Sequence, residues 1–412
     1  MRILWITHDP IRTTIEQGQS SSGFWKESLL KLLKAETGNR IIVAFPGKEK
    51  KIIAADTYNF RYPAKKVYHS LSSETEADLQ WIITECRPDL IHIHGTEIPY
   101  GLLTNKITTP VVISLQGFIS EWYNSVLGDI ALPMWKKEKT LKEYILRNGF
   151  VDMHCQWFLN AACEKETVRA NKYFIGRTQF DKNFVLKNNS QAVYFSGNEL
   201  LRDEFYTATW NLQKIKRYSI YTSSFTNPVK GFHVLLQAIS FLVKEFPELK
   251  VTVPGKLTSK MTGKISGNAY FRMIQEIIDT NQLQNHINFS GKLEGKEIAS
   301  ILQQTHLFAL PSFMENSSNA LGEAQIIGVP SVVSNCGGTP DIISDGENGL
   351  VFRRGDAYEL AMQIRQIFLN DHLAEKLSTG ARENGSAFHS RSKILSQYSS
   401  TYQNILTLEN SI

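Results

Sequence analysis

A chain of 412 residues, 42% hydrophobic and 21% charged, is too long for one ordinary core of about 150 residues and too apolar for a disordered polypeptide. Its formal net charge of +5 suits an acidic small ligand or an anionic membrane surface better than a nucleic-acid groove, and no nucleic-acid-binding signature accompanies it. Cys86, Cys155, Cys163 and Cys336 form no CxxC pair and no metal-ligand spacing, which points to a reduced, cytoplasmic compartment.

In chain order, "RILWIT" reads as a first β-strand, because its apolar run is too short for the core of a signal peptide. The loop after it, "DPIRTTIEQGQSSSGFW", is long and polar; Gly23 lets backbone approach a ligand, and Ser22 is also placed to cap the next helix. The helix pattern "FWKESLLKLLKA", the strand "RIIVAF", the helix "DLQWIITEC" and the strands "PDLIHIHG" and "PVVISL" then alternate as βαβ units of a parallel sheet do. His92 and His94 share one face of the "IHIHG" strand. Without a third ligand nearby they make no metal site; His94, at the carboxyl end, is the candidate to line an acceptor pocket, and His92 is core.

Between 131 and 150, "ALPMWKKEKTLKEYILRNGF" interleaves five basic and two acidic residues with Trp135, Tyr144 and Phe150. The pattern suits a helix lying at an anionic bilayer surface, and also an amphipathic helix covering the sheet; "KEKKII" and "RYPAKK" add basic charge to the same half. After "TATWNLQKIKR" the alternation restarts with "YSIYTS", "GFHVLLQAISFLVKEF", "LKVTVPG", "HINFSG", "EIASILQQT", "LFALPS" and "PSVVS". The expected domains are therefore 1–205 and 206–392, followed by a helix-period tail at 393–412. No apolar run of about 18 residues predicts a membrane-spanning helix.

The stretch "ENSSNALGEA" asks for a specific chemistry. Glu315 falls in the loop at the carboxyl end of the "LFALPS" strand, the edge where open parallel sheets bind ligands. Ser317 or Ser318 caps the helix "NALGEAQII", whose first amides, at Asn319 and Ala320, then form an anion site suited to a diphosphate. Glu323, one turn further in, would repel a phosphate but accepts hydrogen bonds from the vicinal hydroxyls of a ribose.

The stretch from "LFALPSFMENSSNALGEAQIIGVPSVVSNCGGTPDIISDGENGLVF" resembles the donor site of the retaining glycosyltransferases of family 4, whose E-x7-E motif and Gly-Gly loop match Glu315, Glu323, Gly337 and Gly338. The resemblance extends to "PVKGF" at Lys230 and Gly231, to "VPG" at Gly255 and to "YFIGRTQFDK". It implies a GT-B fold: two Rossmann-like, doubly wound α/β domains facing a central cleft, with the last helix crossing back to the N-terminal one. It also implies that the acceptor is bound mainly by the first domain and a nucleoside diphosphate sugar mainly by the second.

Carried onto this chain, the family's roles make Lys230 and Glu315 catalytic and place Ser318, Asn319, Ala320, Leu321, Glu323, Ser224, Gly255 and Gly23 around the donor, with no metal and no other cofactor. Two positions depart from the pattern. Ser224 stands where an arginine commonly helps hold the diphosphate, and Gln116 in "SLQGF" stands where many relatives have a histidine facing the donor sugar. Glutamine hydrogen-bonds a hydroxyl but shuttles no proton near neutral pH.

The expected function is metal-independent, retaining transfer of a sugar from a nucleoside diphosphate sugar to a glycan or lipid-linked glycan hydroxyl in surface polysaccharide synthesis. The expected location is the cytoplasm, at the inner face of the membrane if the 131–150 segment docks there. The rival readings are an impaired nucleotide-binding scaffold and a GT-B-like epimerase or phosphorylase.

Overall fold

The computed structural model describes residues 1–11, 24–62, 70–265 and 267–411. The chain divides into two compact units. One comprises Met1–Ser120, Trp157–Arg202 and His389–Ile412; the other comprises Glu121–Gln156 and Asp203–Phe388.

The first unit is built on an eight-stranded sheet, β1 (Arg2–Ile6), β2 (Arg40–Gly47), β3 (Lys51–Ala54), β4 (Thr57–Arg61), β5 (Leu90–His94), β6 (Val111–Ser114), β7 (Tyr173–Gly176) and β8 (Val193–Ser196). Its order is β3-β4-β2-β1-β5-β6-β7-β8, parallel except for the β3–β4 pair at one edge. The central strands are buried along their length because helices cover both faces of such a sheet: all five residues of β5 and all four of β6 are buried. The C-terminal helix Arg391–Asn410 belongs here. Its Ile394, Tyr398, Tyr402 and Ile405 share one core with Ile3 and Trp5 of β1 and with Leu29 and Leu33 of the helix Phe24–Glu36.

The second unit holds a fully parallel six-stranded sheet, β9 (Lys216–Tyr221), β10 (Lys250–Val253), β11 (Ile287–Phe289), β12 (Thr305–Leu310), β13 (Ser331–Ser334) and β14 (Leu350–Phe352). The order β11-β10-β9-β12-β13-β14 reverses direction between β9 and β12. The central β12, "THLFAL", is buried at all six positions.

The units differ from the sequence expectation in one segment. Residues 121–156, expected with the first domain, cluster with the second unit, and 131–150 is not one helix but the two short helices Leu132–Glu138 and Leu141–Leu146. The break has a local cause: Thr140 caps the second helix, its hydroxyl accepting from the Glu143 amide while the Glu143 carboxylate accepts from the Thr140 amide. Glu143 also accepts from the Ala269 amide, and the Leu141 amide donates to the Lys264 carbonyl. Trp135 and Phe150, which the bilayer-surface reading exposes and the sheet-cover reading buries, are buried around Tyr270. Among the described residues, no helix is long and apolar enough to cross a membrane.

Candidate active site

The strand order of the second sheet reverses between β9 and β12, and the loops leaving the carboxyl ends of these two strands flank the place where open parallel sheets bind ligands. Lys230 arrives on the first of these loops and Glu315 on the second. The Lys230 ammonium lies 2.7 Å from Glu315 Oε1, which also accepts from the Ser312 hydroxyl at 2.7 Å. Both side chains keep some contact with solvent, 26% for Lys230 and 10% for Glu315. The indole of Trp122 lies 5.8 Å from the ammonium, a cation–π contact that sequence reading did not anticipate.

Two glycines let these loops close on each other. Gly231 has φ +66°, and a Cβ there would sit 1.8 Å from the Pro311 carbonyl oxygen. Gly337 has φ +50°, with the Glu315 carbonyl oxygen 1.9 Å from the place of a Cβ, and the next amide, of Gly338, donates to that oxygen at 2.9 Å. Backbone blocks a side chain at both positions, so the glycines of "VKG" and "CGG" are steric requirements. The Phe313 amide completes the join by donating to the Val229 carbonyl at 2.6 Å.

The helix Asn319–Ile327 points its N-terminus from the end of the Glu315 loop. Ser318 is the cap and accepts from the Leu321 amide at 3.4 Å, while the Gly322 amide bonds the Ser318 carbonyl. Leu321 therefore belongs to the cap and, with its side chain buried, to the core; the positions heading the helix are Asn319 and Ala320. Glu323 is buried on the first turn that follows. Ser224 lies on the β9 loop with its hydroxyl 3.3 Å from that of Thr226, and Gly255, at φ +103°, packs under the ring of Phe225. Lys230, Glu315, Ser318, Asn319 and Ala320 are thus gathered on the two loops of the reversal, whereas Gly255 enters from the loop after β10.

The corresponding edge of the first sheet, between β1 and β5, carries a second pair. His8 Nε2 lies 3.2 Å from Glu97 Oε2, and Glu97 Oε1 accepts from the Gly117 amide at 3.1 Å. Burial pushes the Glu97 carboxyl up, but the bond and charge of His8 and the backbone donors outweigh it and hold the group below its ordinary value. Gly95, at φ +99°, opens the space, since a Cβ there would meet both His8 and Glu97. Lys26 is buried nearby; burial lowers its pKa against the opposing charges of Asp9, Glu97 and Glu199.

His94 does not line an open surface among the described residues. It is 1% exposed, its ring is held between Trp5 and Trp25, and burial keeps it neutral. The period-2 geometry puts it on the same buried face as His92, whose ring nitrogens meet the hydroxyls of Tyr402 and Ser114. Gln116 is half-buried, and its carbonyl accepts from Arg177. Gly23 and most of "RYPAKK" lie outside the described residues. Sequence reading missed His8 and Glu97; the available signal was that each follows the end of a central strand.

Two parallel doubly wound domains define the GT-B glycosyltransferase fold. The chain superposes on sucrose-phosphate synthase from Thermosynechococcus elongatus with a TM-score of 0.75 at 14% identity, covering 99% of this chain and 100% of the other. On HepE from Anabaena in complex with UDP and glucose, the TM-score is 0.68 at 15% identity over 98% and 100%. Residues 204–384 match the model for glycosyl transferases group 1. It is 33% identical over 140 residues to 2-deoxystreptamine N-acetyl-D-glucosaminyltransferase from Niallia circulans, a match that spans 34% of each protein, about a third of the relative's length.

Proposed function

We propose that this protein is a retaining glycosyltransferase that moves a sugar from a nucleoside diphosphate sugar to an acceptor hydroxyl without a catalytic metal. The glycan or lipid-linked glycan acceptor is bound mainly by residues of the first domain. The observation that carries the reading is the Lys230–Glu315 pair at the strand-order reversal, beside the N-terminus of the helix Asn319–Ile327. A lysine and a helix terminus supply positive charge where a diphosphate leaves, which is the role a divalent cation plays in other transferases. The UDP and glucose complex of the fold neighbour HepE and the aminosugar relative support a nucleotide-sugar donor.

In the reaction, the bond from the sugar's anomeric carbon to the β-phosphate oxygen breaks while the acceptor oxygen bonds the same carbon from the same face. The acceptor proton passes to the departing phosphate oxygen. Lys230 and the Asn319 and Ala320 amides stabilise the charge growing there. Among the described residues both hydrogen bonds to the Glu315 carboxylate fall on Oε1, which leaves Oε2 for the donor's hydroxyls. Glu323 accepts from the ribose. Where relatives place a histidine, Gln116 orients a hydroxyl and takes no proton.

Thermal unfolding in EDTA, with UDP, GDP and ADP added separately, tests this reading. One nucleotide at a hundred times its Kd should stabilise the protein by about 2.7 kcal/mol, and Glu323→Ala should weaken its binding by about 1.5 to 3 kcal/mol per lost bond. If no nucleotide stabilises the protein until magnesium or manganese is added, the metal-independent assignment is wrong.

A further inference from the structure

The two short helices at 132–146 separate their charges. Both acids are buried: Glu138 pairs with Arg272, and Glu143 caps its own helix and the Ala269 amide. The bases point outward. Lys137 and Lys139 are committed to Glu276 and Asp152, whereas Lys136, Lys142 and Arg147, with Lys264 beside them, are exposed and make no ion pair among the described residues.

The same stretch and its neighbour at 264–265 present large apolar side chains. Leu132, Leu141, Tyr144, Ile145, Leu146 and Ile265 are each more than half exposed, with Tyr144 at 73% and Ile265 at 71%. Leu141, Tyr144 and Ile145 share a helix face by their spacing of three and four. Ile265 adjoins them because its carbonyl accepts from the Lys142 amide at 2.9 Å. A lone exposed leucine needs no explanation; six such side chains on one short stretch and its neighbour mark an interaction surface.

We infer that this surface docks on an anionic lipid bilayer, with the apolar side chains entering the headgroup boundary and Lys136, Lys142, Arg147 and Lys264 facing the lipid charge. Charge decides the partner. A second copy would set these four cations against the same four in a chain already at +5, whereas an anionic leaflet complements them. Buried Trp135 and Glu143 anchor the two helices from beneath and leave this face outward. The inference does not rest on the sugar-transfer reading.

Sedimentation with phosphatidylcholine vesicles, with and without roughly a third phosphatidylglycerol, tests it. The protein should pellet with the anionic vesicles alone and release as salt rises, because screening shortens the reach of these charges. Each basic residue is worth on the order of fivefold in partition, so reversing all four to glutamate should lower binding at least about a hundredfold. Tyr144→Ser with Ile145→Ser and Leu146→Ser should lose binding at low salt also. Thermal unfolding of both variants, unchanged from the parent, separates lost docking from lost fold; a variant that unfolds early is replaced by Lys136→Gln with Lys142→Gln. Equal pelleting of the charge-reversed protein, or of the parent with neutral and anionic vesicles, would overturn the inference. So would a parent that ignores vesicles and forms a dimer abolished by the serine variant, which would give the face to a second copy.

Discussion

Both sheets place a basic side chain and a carboxylate on the loops flanking the reversal of strand order, yet the two pairs differ in kind. Between β9 and β12, Lys230 and Glu315 meet at 2.7 Å, and two glycines jam the loops together backbone to backbone. Between β1 and β5, His8 and Glu97 meet at 3.2 Å, and the glycine that admits them makes room only for side chains. A lysine holds a permanent compact charge, while an imidazole offers a donor on one nitrogen and an acceptor on the other. The first arrangement suits a fixed anion. The second suits a hydroxyl: among the described residues His8 Nδ1 is buried without a hydrogen-bond partner.

The comparison breaks most sharply at Lys230. In the proposed reaction, charge on the diphosphate grows as the glycosidic bond breaks, so a cation placed there binds the transition state more tightly than the ground state. Lys230→Ala should cost about 2.7 to 4 kcal/mol in turnover, roughly a hundred- to a thousandfold, with a smaller change in nucleotide affinity. Initial rates of donor hydrolysis, measured beside nucleotide titration, give both numbers; a variant turning over like the parent would remove Lys230 from the reaction.

A second expectation separates the pairs' shared scaffold from their chemistry. Each unit buries histidines held neutral by burial: His92, pushed to about 3, and His389, to about 4, in the first, with His233 and His306, both to about 4, in the second. Unfolded, all four protonate near their ordinary value of about 6.5. Their neutral burial is therefore fully compatible with the fold above that pH, and stability falls as pH drops from there toward 4. The slope approaches about 1.4 kcal/mol per pH unit for each histidine. Calorimetry at pH 5 in buffers of different ionisation enthalpy should show proton uptake on unfolding in both units; a flat profile would contradict the buried, neutral assignment.

The smallest effect is expected at His8. His8→Gln keeps a hydrogen-bonding side chain but loses the imidazole, and should slow sugar transfer by about tenfold, or about 1.4 kcal/mol, within the range for a positioned acid–base group. Nucleotide affinity should not change. Weakened nucleotide binding in this variant would place His8 with the donor and erase the contrast between the two edges.

Much of the second unit was legible because its chemistry is local. Glu315, Ser318 and Glu323 lie within nine residues, and a strand, a cap and one helical turn are enough to order them. The first unit's edge was not legible, since His8 and Glu97 are 89 residues apart and become neighbours only because β1 pairs with β5. His94 shows the opposite error: its place at a strand's end was right, but alternation turned it toward Trp5 and Trp25.

By itself the sequence determined the alternation of strands and helices and the E-x7-E motif at the start of a helix, which follow from period and cap over short distances, whereas the contacts of Gly231 and Gly337 with distant backbone came from the tertiary structure. Tertiary structure alone decided which side chains of 131–150 face inward. Periodicity marks residues that share a face but not what that face meets, and Trp135 and Glu143 went inside because Tyr270 and the Ala269 amide were there to receive them. The same packing left Tyr144 and Ile145 outside, with Lys136, Lys142 and Arg147 free of ion pairs among the described residues, and so gave the proposed docking surface to a segment whose sequence fitted sheet cover as well.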